Sequence, residues 1–482
     1  MRGAGRIAKN TFILIAVNLL LPVSSLATVV VVARCLGTEG LGRYSLVFSF
    51  FNVFSSISLL GLNAVITREG ASVLERLPKL LSNAAILGTI ASLLLMVVMG
   101  TLGSWLGYDE ATRVALVILS IAILPATILK YFEATCIACE RMEFIGLFTL
   151  SENILRIALS VVLLVLGHGI SAIMIVAVGT RILACLVYML FVHKLGLALR
   201  WTPDLRVLRQ LVFTAPTFTL ISVFAVLYSK IDIFMLSKIG EMNDVGVYGA
   251  GYRILEIAMV LPASLCLSVY PGLARASSAN PETVRLLGSE TLRYLLVMTL
   301  PLAVGATLLA KPIMNLLYGE AFRPASVILT VLVWTVIPYA WVRYYAYVLV
   351  AANRQKIDLC LNVIMAGVNI VLNLLLIPRY GSLGAALATT VSICVYAVGQ
   401  YIYIRRYLSD RLAQLPALFK PAFAIAVMAV SVWVLRDVQV LLTIAIGAVV
   451  YVGALWVTRF FTDAEREIIF HKLSLAQIGL RK

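Results

Sequence analysis

The feature that most constrains this chain is a succession of long apolar runs separated by short polar stretches. There are fourteen, near residues 11–33, 44–65, 80–103, 114–139, 144–166, 170–192, 210–237, 247–270, 294–317, 326–350, 359–377, 383–404, 417–435 and 438–458. A bilayer crossing takes about 20 predominantly apolar residues, so these runs read as transmembrane helices. Of the 482 residues, 62% are hydrophobic and only 13% are charged, against roughly 25% charge in soluble domains. That excludes a soluble enzyme, a disordered regulator and a secreted module. The expected fold class is an all-α integral membrane protein with fourteen transmembrane helices. The first run follows Arg2, Arg6 and Lys9 and meets Arg34 without a cleavage context, so it reads as an uncleaved helix.

The formal charge of +16 is first an orientation signal, because Lys and Arg collect in cytoplasmic loops. With the N-terminus in the cytoplasm, 25 of the 39 Lys and Arg lie in or beside cytoplasmic segments, 8 lie on the opposite side and 6 are embedded. Both termini are therefore expected in the cytoplasm. The longest connections, 193–209 and 271–293, are too short for a catalytic domain.

Two stretches match at a constant offset of 213: LPATILKYFEATCIACERMEF (124–144) lies over IPYAWVRYYAYVLVAANRQKI (337–357). Pro125 meets Pro338, Lys130 meets Arg343, Tyr131 meets Tyr344 and Arg141 meets Arg354, and GHGISA (167–172) falls over YGSLGA (380–385). A weaker echo at offset 204 places Gly42-Arg43-Tyr44 over Gly246-Val247-Tyr248. The matched segments have equal orientation, so the chain reads as a parallel duplication about an axis along the membrane normal. The expected organisation is an N-lobe at 1–192 (spans 1–6), a cytoplasmic amphipathic linker at 193–209 and a C-lobe at 210–404 (spans 7–12). Accessory spans 13 and 14 at 417–458 and a cytoplasmic tail at 459–482 follow. Two pseudo-symmetric six-helix lobes around a central cavity are the architecture of an alternating-access transporter.

Ten ionisable residues fall inside the runs, and each costs about 2.5–3.5 kcal/mol at a helix centre, so each is expected to face a partner or a cavity. Glu152 and Arg156 are four apart, while Lys130 and Glu133, like Arg253 and Glu256, are three apart, so each pair can meet on one helical face. Lys230 and Asp232 point to different faces near the outer end of their run, where snorkelling is expected. Arg181 lies mid-run with no acid three or four residues away. Arg343 also lacks one and is set among Tyr339, Trp341, Tyr344, Tyr345 and Tyr347. Six cations against four acids leave a positive interior suited to an anion, whose phosphate oxygens a guanidinium can hold through a bidentate fork. The candidate cavity cations are Arg181, Arg253, Arg156, Arg343, Lys130 and Lys230. Glu152, Asp232, Glu256 and Glu133 are candidates for ion coupling or charge pairing. Tyr339, Trp341 and Tyr344 are placed either to stack on sugar rings or to form an interfacial aromatic belt. Pro22, Pro125, Pro216, Pro262, Pro301 and Pro338 fall mid-run and permit bending.

The sequence contains no GxxxxGK[ST] phosphate loop, no HExxH and no GxSxG. His168, His193 and His471 have no metal-binding spacing, and Cys136 and Cys139 form an isolated CxxC that reads as packing. The expectation is therefore no enzyme, no metal, no ATP and no nucleic-acid partner.

The stretches ARCLGTEGLGRYSLVFSFFNVFSSISLLGLNAVITREGA, IGEMNDVGVYGAGYRILEIAMVLPASLCLSVYPGLAR, LLYGEAFRPAS and NVIMAGVNIVLNLLLIPRYGSLGAALATTVS resemble the polysaccharide-transporter branch of the multidrug/oligosaccharidyl-lipid/polysaccharide exporter superfamily. These are the Wzx-type flippases of O-antigen and exopolysaccharide assembly. The most specific part is borne by Asn369, Asn373, Ile377, Pro378, Tyr380, Gly381, Gly384 and Ala385. The resemblance implies a V-shaped, two-lobed bundle in the bacterial cytoplasmic (inner) membrane. It would move an undecaprenyl-pyrophosphate-linked oligosaccharide to the outer leaflet, with cationic residues serving the anionic substrate and coupling to H+ or Na+ left open. Membrane lipids, a polysaccharide polymerase and assembly proteins are the implied partners. Relatives that flip the peptidoglycan precursor carry an Arg-Asp pair in the first helix, whereas this chain has no charge between Lys9 and Arg34. Multidrug exporters couple cations through embedded acids in the first lobe, but Glu133 and Glu152 have local basic partners here. Both therefore stand as alternatives behind an anionic glycolipid.

Overall fold

The computed structural model describes residues 2–194, 203–279, 281–407, 419–436 and 438–460. Part of the expected linker (195–202), the stretch 408–418 and the tail 461–482 with His471 lie outside the described residues. Among the described residues there is no strand. The helices are α1 (Arg2–Ser58), α2 (Leu62–Ser72), α3 (Leu77–Trp105), α4 (Glu110–Ser120), α5 (Ile123–Ala138), α6 (Met142–Val165), α7 (Ile170–Lys194), α8 (Leu205–Ile239) and α9 (Met242–Ala279). They are followed by α10 (Pro281–Leu308), α11 (Ala310–Tyr318), α12 (Ala325–Leu332), α13 (Val336–Ala351), α14 (Gln355–Tyr380), α15 (Ser382–Tyr407), α16 (Phe419–Val434) and α17 (Val440–Val457).

Ten described helices are long and apolar enough to cross a membrane, or eleven if α4 and α5, bent by 40°, form one span. This count takes only residues whose side chains are described, which leaves out much of the run at 11–33 and part of that at 210–237. The first two runs lie largely within α1, which is interrupted at Gly37 (φ 69°, ψ −166°) rather than by a loop. The run at 417–435 gives α16, of which 16 residues are described. The apolar windows of the ten helices are only 17% to 56% buried. Large side chains such as Leu94, Leu190 and Val449 point outward, while small polar groups fill the interior. Ser58 and Ser92 both meet Thr127, at 2.5 and 3.1 Å, and Tyr131 donates to the Leu59 carbonyl at 2.9 Å. Apolar faces outside and hydrogen-bonded polar groups inside are what a bilayer demands.

The segments matched at offset 213 adopt the same backbone. α5 and α13 have 16 residues each, and both begin two residues before a proline. Pro125 and Pro338 are therefore first-turn residues, not mid-helix ones. Each ring lacks the N–H that would bond four residues back, at Ile121 and Trp334, where α4 gives way to a turn and α12 to one turn of 3-10 helix. Both helices end alike: Glu140 (φ 55°) and Asn353 (φ 57°) turn left-handed. The Arg141 N–H then donates to Cys136 O at 2.8 Å and the Arg354 N–H to Leu349 O at 2.7 Å. Pro22, Pro262 and Pro301 are inside α1, α9 and α10.

Two compact units are distinguished: Met1–Arg253 with Ile370–Ala388, and Ile254–Asn369 with Thr389–Lys482. In the first, a core under α2, α3, α5 and α7 gathers Leu62, Leu77, Tyr131, Phe132, Cys136 and Tyr188. Asp204 ties the start of α8 to α3. Its carboxylate accepts from the Arg206 N–H at 2.9 Å and pairs with Lys79, and its own N–H donates to Asn83 Oδ1 at 2.9 Å. In the second unit, Cys266, Tyr344, Tyr345 and Leu349 form one core, and Val297, Met428, Val432 and Tyr451 form another. The α16–α17 hairpin is held to α10 by Tyr451, whose hydroxyl donates to Val297 O at 2.8 Å.

Candidate functional site

In the first unit, α6 and α7 are antiparallel neighbours joined through Gly167 (φ 82°), a left-handed turn that favours glycine. This brings Arg181 of α7 against Glu152 of α6, with Nη1 and Oε2 3.2 Å apart. The other carboxylate oxygen lies 3.6 Å from Arg156 Nη1, and Arg156 also donates to Asn153 Oδ1. Arg181 thus has an acid after all, 29 residues away on the next helix, where spacing along one helix does not reach. The group is buried: side-chain exposure is 4% at Glu152, 15% at Arg156 and 22% at Arg181. Arg253 on α9 donates to Ser25 Oγ of α1 and, with Tyr44, lies within the electrostatic neighbourhood of Arg156. Two guanidiniums, those of Arg156 and Arg181, therefore share one carboxylate. In a low-dielectric interior an uncompensated cation is costly, so the excess favours an entering anion.

The remaining candidates divide by environment. Lys130 pairs with Glu133 at 2.6 Å and is half exposed. Lys230 lies 5.5 Å from the Tyr252 ring centroid. Asp232 does not snorkel: it is buried and accepts from Tyr248 Oη at 2.9 Å and Asn373 Nδ2 at 2.6 Å. Glu256 is half-buried on α9. In the second unit, exposed Arg343 donates from Nε to Tyr339 Oη at 2.9 Å, and its guanidinium sits 5.3 Å from the Tyr339 ring centroid. Trp341 keeps partial exposure. Tyr344, expected as a stacking platform, is 1% exposed and packs on Tyr345 with centroids 5.3 Å apart, which leaves no free face for a sugar in this conformation.

Within the first unit, α1 and α9 cross closely where the offset-204 echo lies. A Cβ on Gly42 would collide with the Met242 carbonyl oxygen, and one on Gly246 with that of Thr38. Residue 38 lies 204 before residue 242, so the two contacts are reciprocal. Thr38 Oγ1 donates to Asn243 Oδ1 at 2.8 Å beside them, and Arg43 pairs with Glu39 at 2.5 Å and Asp109 at 3.2 Å. The turn after α14 closes the same region. Gly381 (φ 54°) leaves room for the Asp244 carboxylate, which accepts from the Ser382 N–H at 3.2 Å. Asn373, Gly381 and Gly384 of the specific pattern thus work as packing residues. Sequence reading missed Ser25, Tyr44 and Asn153 as neighbours of the arginines. The one signal was Tyr44 in the glycine-arginine-tyrosine echo.

Residues 7–277 match the family described as "Polysaccharide biosynthesis protein", and residues 217–375 match the MatE family. The chain is 25% identical over 183 residues to a "Probable low-salt glycan biosynthesis flippase Agl15" of Haloferax volcanii, covering 38% of this chain and 39% of that protein. It is 28% identical over 175 residues to a "Probable flippase AglR" of the same organism, covering 36% and 37%. The matches thus span about two fifths of those relatives' length. The structure resembles that of the "Lipid II flippase MurJ, inward closed conformation", with a TM-score of 0.76 and 17% identity, over 92% of this chain and 98% of that one. That likeness gives the fold.

Proposed function

The chain belongs to the polysaccharide biosynthesis protein family, and on that premise we propose that it is a flippase. It turns an undecaprenyl-pyrophosphate-linked oligosaccharide, such as an O-antigen, capsule or exopolysaccharide repeat unit, from the inner to the outer leaflet of a bacterial cytoplasmic membrane. The observation that carries this reading is the buried cluster in which Arg156 and Arg181 share Glu152, with Arg253 nearby. A diphosphate competes with Glu152 for guanidinium forks, while the lipid tail stays in the bilayer. An inside-negative potential favours outward movement by about 2.3 kcal/mol per charge per 100 mV, so no nucleotide is needed. Glu152, Asp232 and Glu256 are the candidates for H+ or Na+ coupling.

Fourteen spans, with α1, α8 and α16 contributing to them and both termini cytoplasmic, complete the reading. Alternating access requires the α1–α9 crossing at Gly42 and Gly246 to part. The test is depletion of the protein followed by extraction of lipid-linked glycans. Accumulation of an oligosaccharide lipid in the inner leaflet is expected. An unchanged distribution overturns the proposal. The fold also favours a second reading, a peptidoglycan-precursor (lipid II) flippase, and the identity of the accumulated lipid distinguishes the two. Altered drug sensitivity without lipid accumulation marks a multidrug antiporter instead.

A further inference from the structure

The second unit contains a cavity of about 490 Å³ where the α11–α12 connection meets the α16–α17 hairpin. Lys311, Arg323 and Arg436 line it, with Asn315 and a single described acid, Glu320. Gly319 (φ 87°, ψ 179°) makes the turn that brings Glu320 and Arg323 back over α11, in a backbone region that side-chain-bearing residues avoid. Arg436 is carried on the hairpin with its guanidinium 5.2 Å from the Trp433 ring centroid. Among the described residues, the side chains of Lys311, Arg323 and Glu320 form no ion pair or hydrogen bond with one another. Asp437 lies outside the described residues.

On the fourteen-span topology proposed above, on which this step rests, the connections carrying these cations fall on one side of the membrane, the side away from the termini. That side holds only 8 of the 39 Lys and Arg, and three of the eight converge on this cavity. Elsewhere on that side Arg43 pairs with Asp109 at 3.2 Å, and Lys238 donates to Leu106 O at 2.5 Å. Cations depleted from a surface yet gathered in one cavity call for an anion. The remaining lining identifies its kind. Leu316 and Val438 are 45% and 44% exposed beside the cations, so the cavity offers apolar surface next to charge, which fits a lipid glycerophosphate better than a free ion.

We propose that this cavity binds the phosphate headgroup of an anionic membrane lipid in the leaflet away from the termini, with Arg323 and Arg436 as forks and Lys311 as a point charge. This gives the accessory α16–α17 hairpin a role: it completes a lipid site that α11 alone leaves open. The site is separate from the arginines assigned to cargo, so either assignment can fail without the other.

The test uses the full-length protein in detergent, titrated with dioleoyl phosphatidylglycerol or dioleoyl phosphatidylcholine and read by native mass spectrometry. The wild type is expected to retain one more phosphatidylglycerol than the Lys311→Gln/Arg323→Gln/Arg436→Gln variant, with affinity falling about fivefold for each cation removed. The single variants Arg323→Gln and Arg436→Gln provide the same readout should the triple variant melt early. Equal phosphatidylglycerol retention by wild type and a folded variant overturns the proposal. So does displacement of the lipid by millimolar inorganic phosphate, which marks a soluble-anion site.

Discussion

The segments 124–144 and 337–357 share a backbone and differ in chemistry. Both place a proline in the first helical turn, interrupt the α-helical bonding four residues earlier and close on a left-handed residue 15 positions beyond the proline. Their side chains then diverge. Lys130 has a carboxylate partner in Glu133, while its counterpart Arg343 has a tyrosine, Tyr339. The next helices diverge further: the positions of Glu152, Arg156 and Arg181 are occupied 213 residues later by Met365, Asn369 and Cys394. The match preserves what sets helix geometry and does not carry over the buried cluster of Glu152, Arg156 and Arg181. Backbone breaks are imposed by proline and left-handed caps wherever they recur, whereas a buried guanidinium persists only where an acid or a ligand meets it.

Breaking the comparison at its charged end has the largest expected effect. Glu152→Ala leaves two buried arginines without their acid and should cost about 3–5 kcal/mol, read as a fall in melting temperature in detergent. Met365→Leu at the matching position should cost less than about 1.5 kcal/mol. Equal losses would mean that the arginines do not depend on that acid. The reciprocal crossing provides the next test. Gly42→Leu and Gly246→Leu each force a side chain into a backbone carbonyl, and each should cost about 1–3 kcal/mol. A silent substitution at one glycine would break the equivalence at offset 204.

Smaller effects separate the paired tyrosines. The Tyr131 hydroxyl donates to Leu59 O, whereas that of Tyr344 has no hydrogen-bond partner among the described residues. Tyr131→Phe should therefore lose about 1 kcal/mol, and Tyr344→Phe should be neutral. Thermal melts of the two variants check this directly. The smallest effect is at Asp204, whose carboxyl pKa is lowered by its bond with Lys79 and the Arg206 N–H. A lowered folded-state value means stabilisation that is present above the ordinary carboxylate range near 4 and fades as pH falls through the folded value. Melting measured from pH 6 down to 2 should lose part of its acid-side slope in Asp204→Asn.

The all-helical class and the local match at offset 213 were legible because each depends on residue type and short spacing, whereas Pro125 and Pro338 open their helices instead of bending them. The breaks within helices were less legible. Apolar length does not reveal that Gly37 interrupts α1 without a loop or that α4 and α5 meet at a 40° bend. At the site, the pairs Glu152–Arg156 and Lys130–Glu133 follow from one turn of a helix. The partner of Arg181 and those of Asp232 do not, since they come from other helices and depend on packing. The Asn373 and Gly381 pattern was visible as a signature, but its clasp on Asp232 and Asp244 needed the fold.

The central claim is that the first-half arginines hold an anionic cargo. The direct measurement is the rate at which purified protein in proteoliposomes translocates a fluorescent diphosphate-linked oligosaccharide, comparing wild type with Arg181→Gln. Arg156 remains in that variant to neutralise Glu152, so its melting temperature should stay near the wild-type value. A fall in rate of at least about tenfold is expected from losing one charge-assisted contact. Translocation at the wild-type rate by the folded variant would contradict the account.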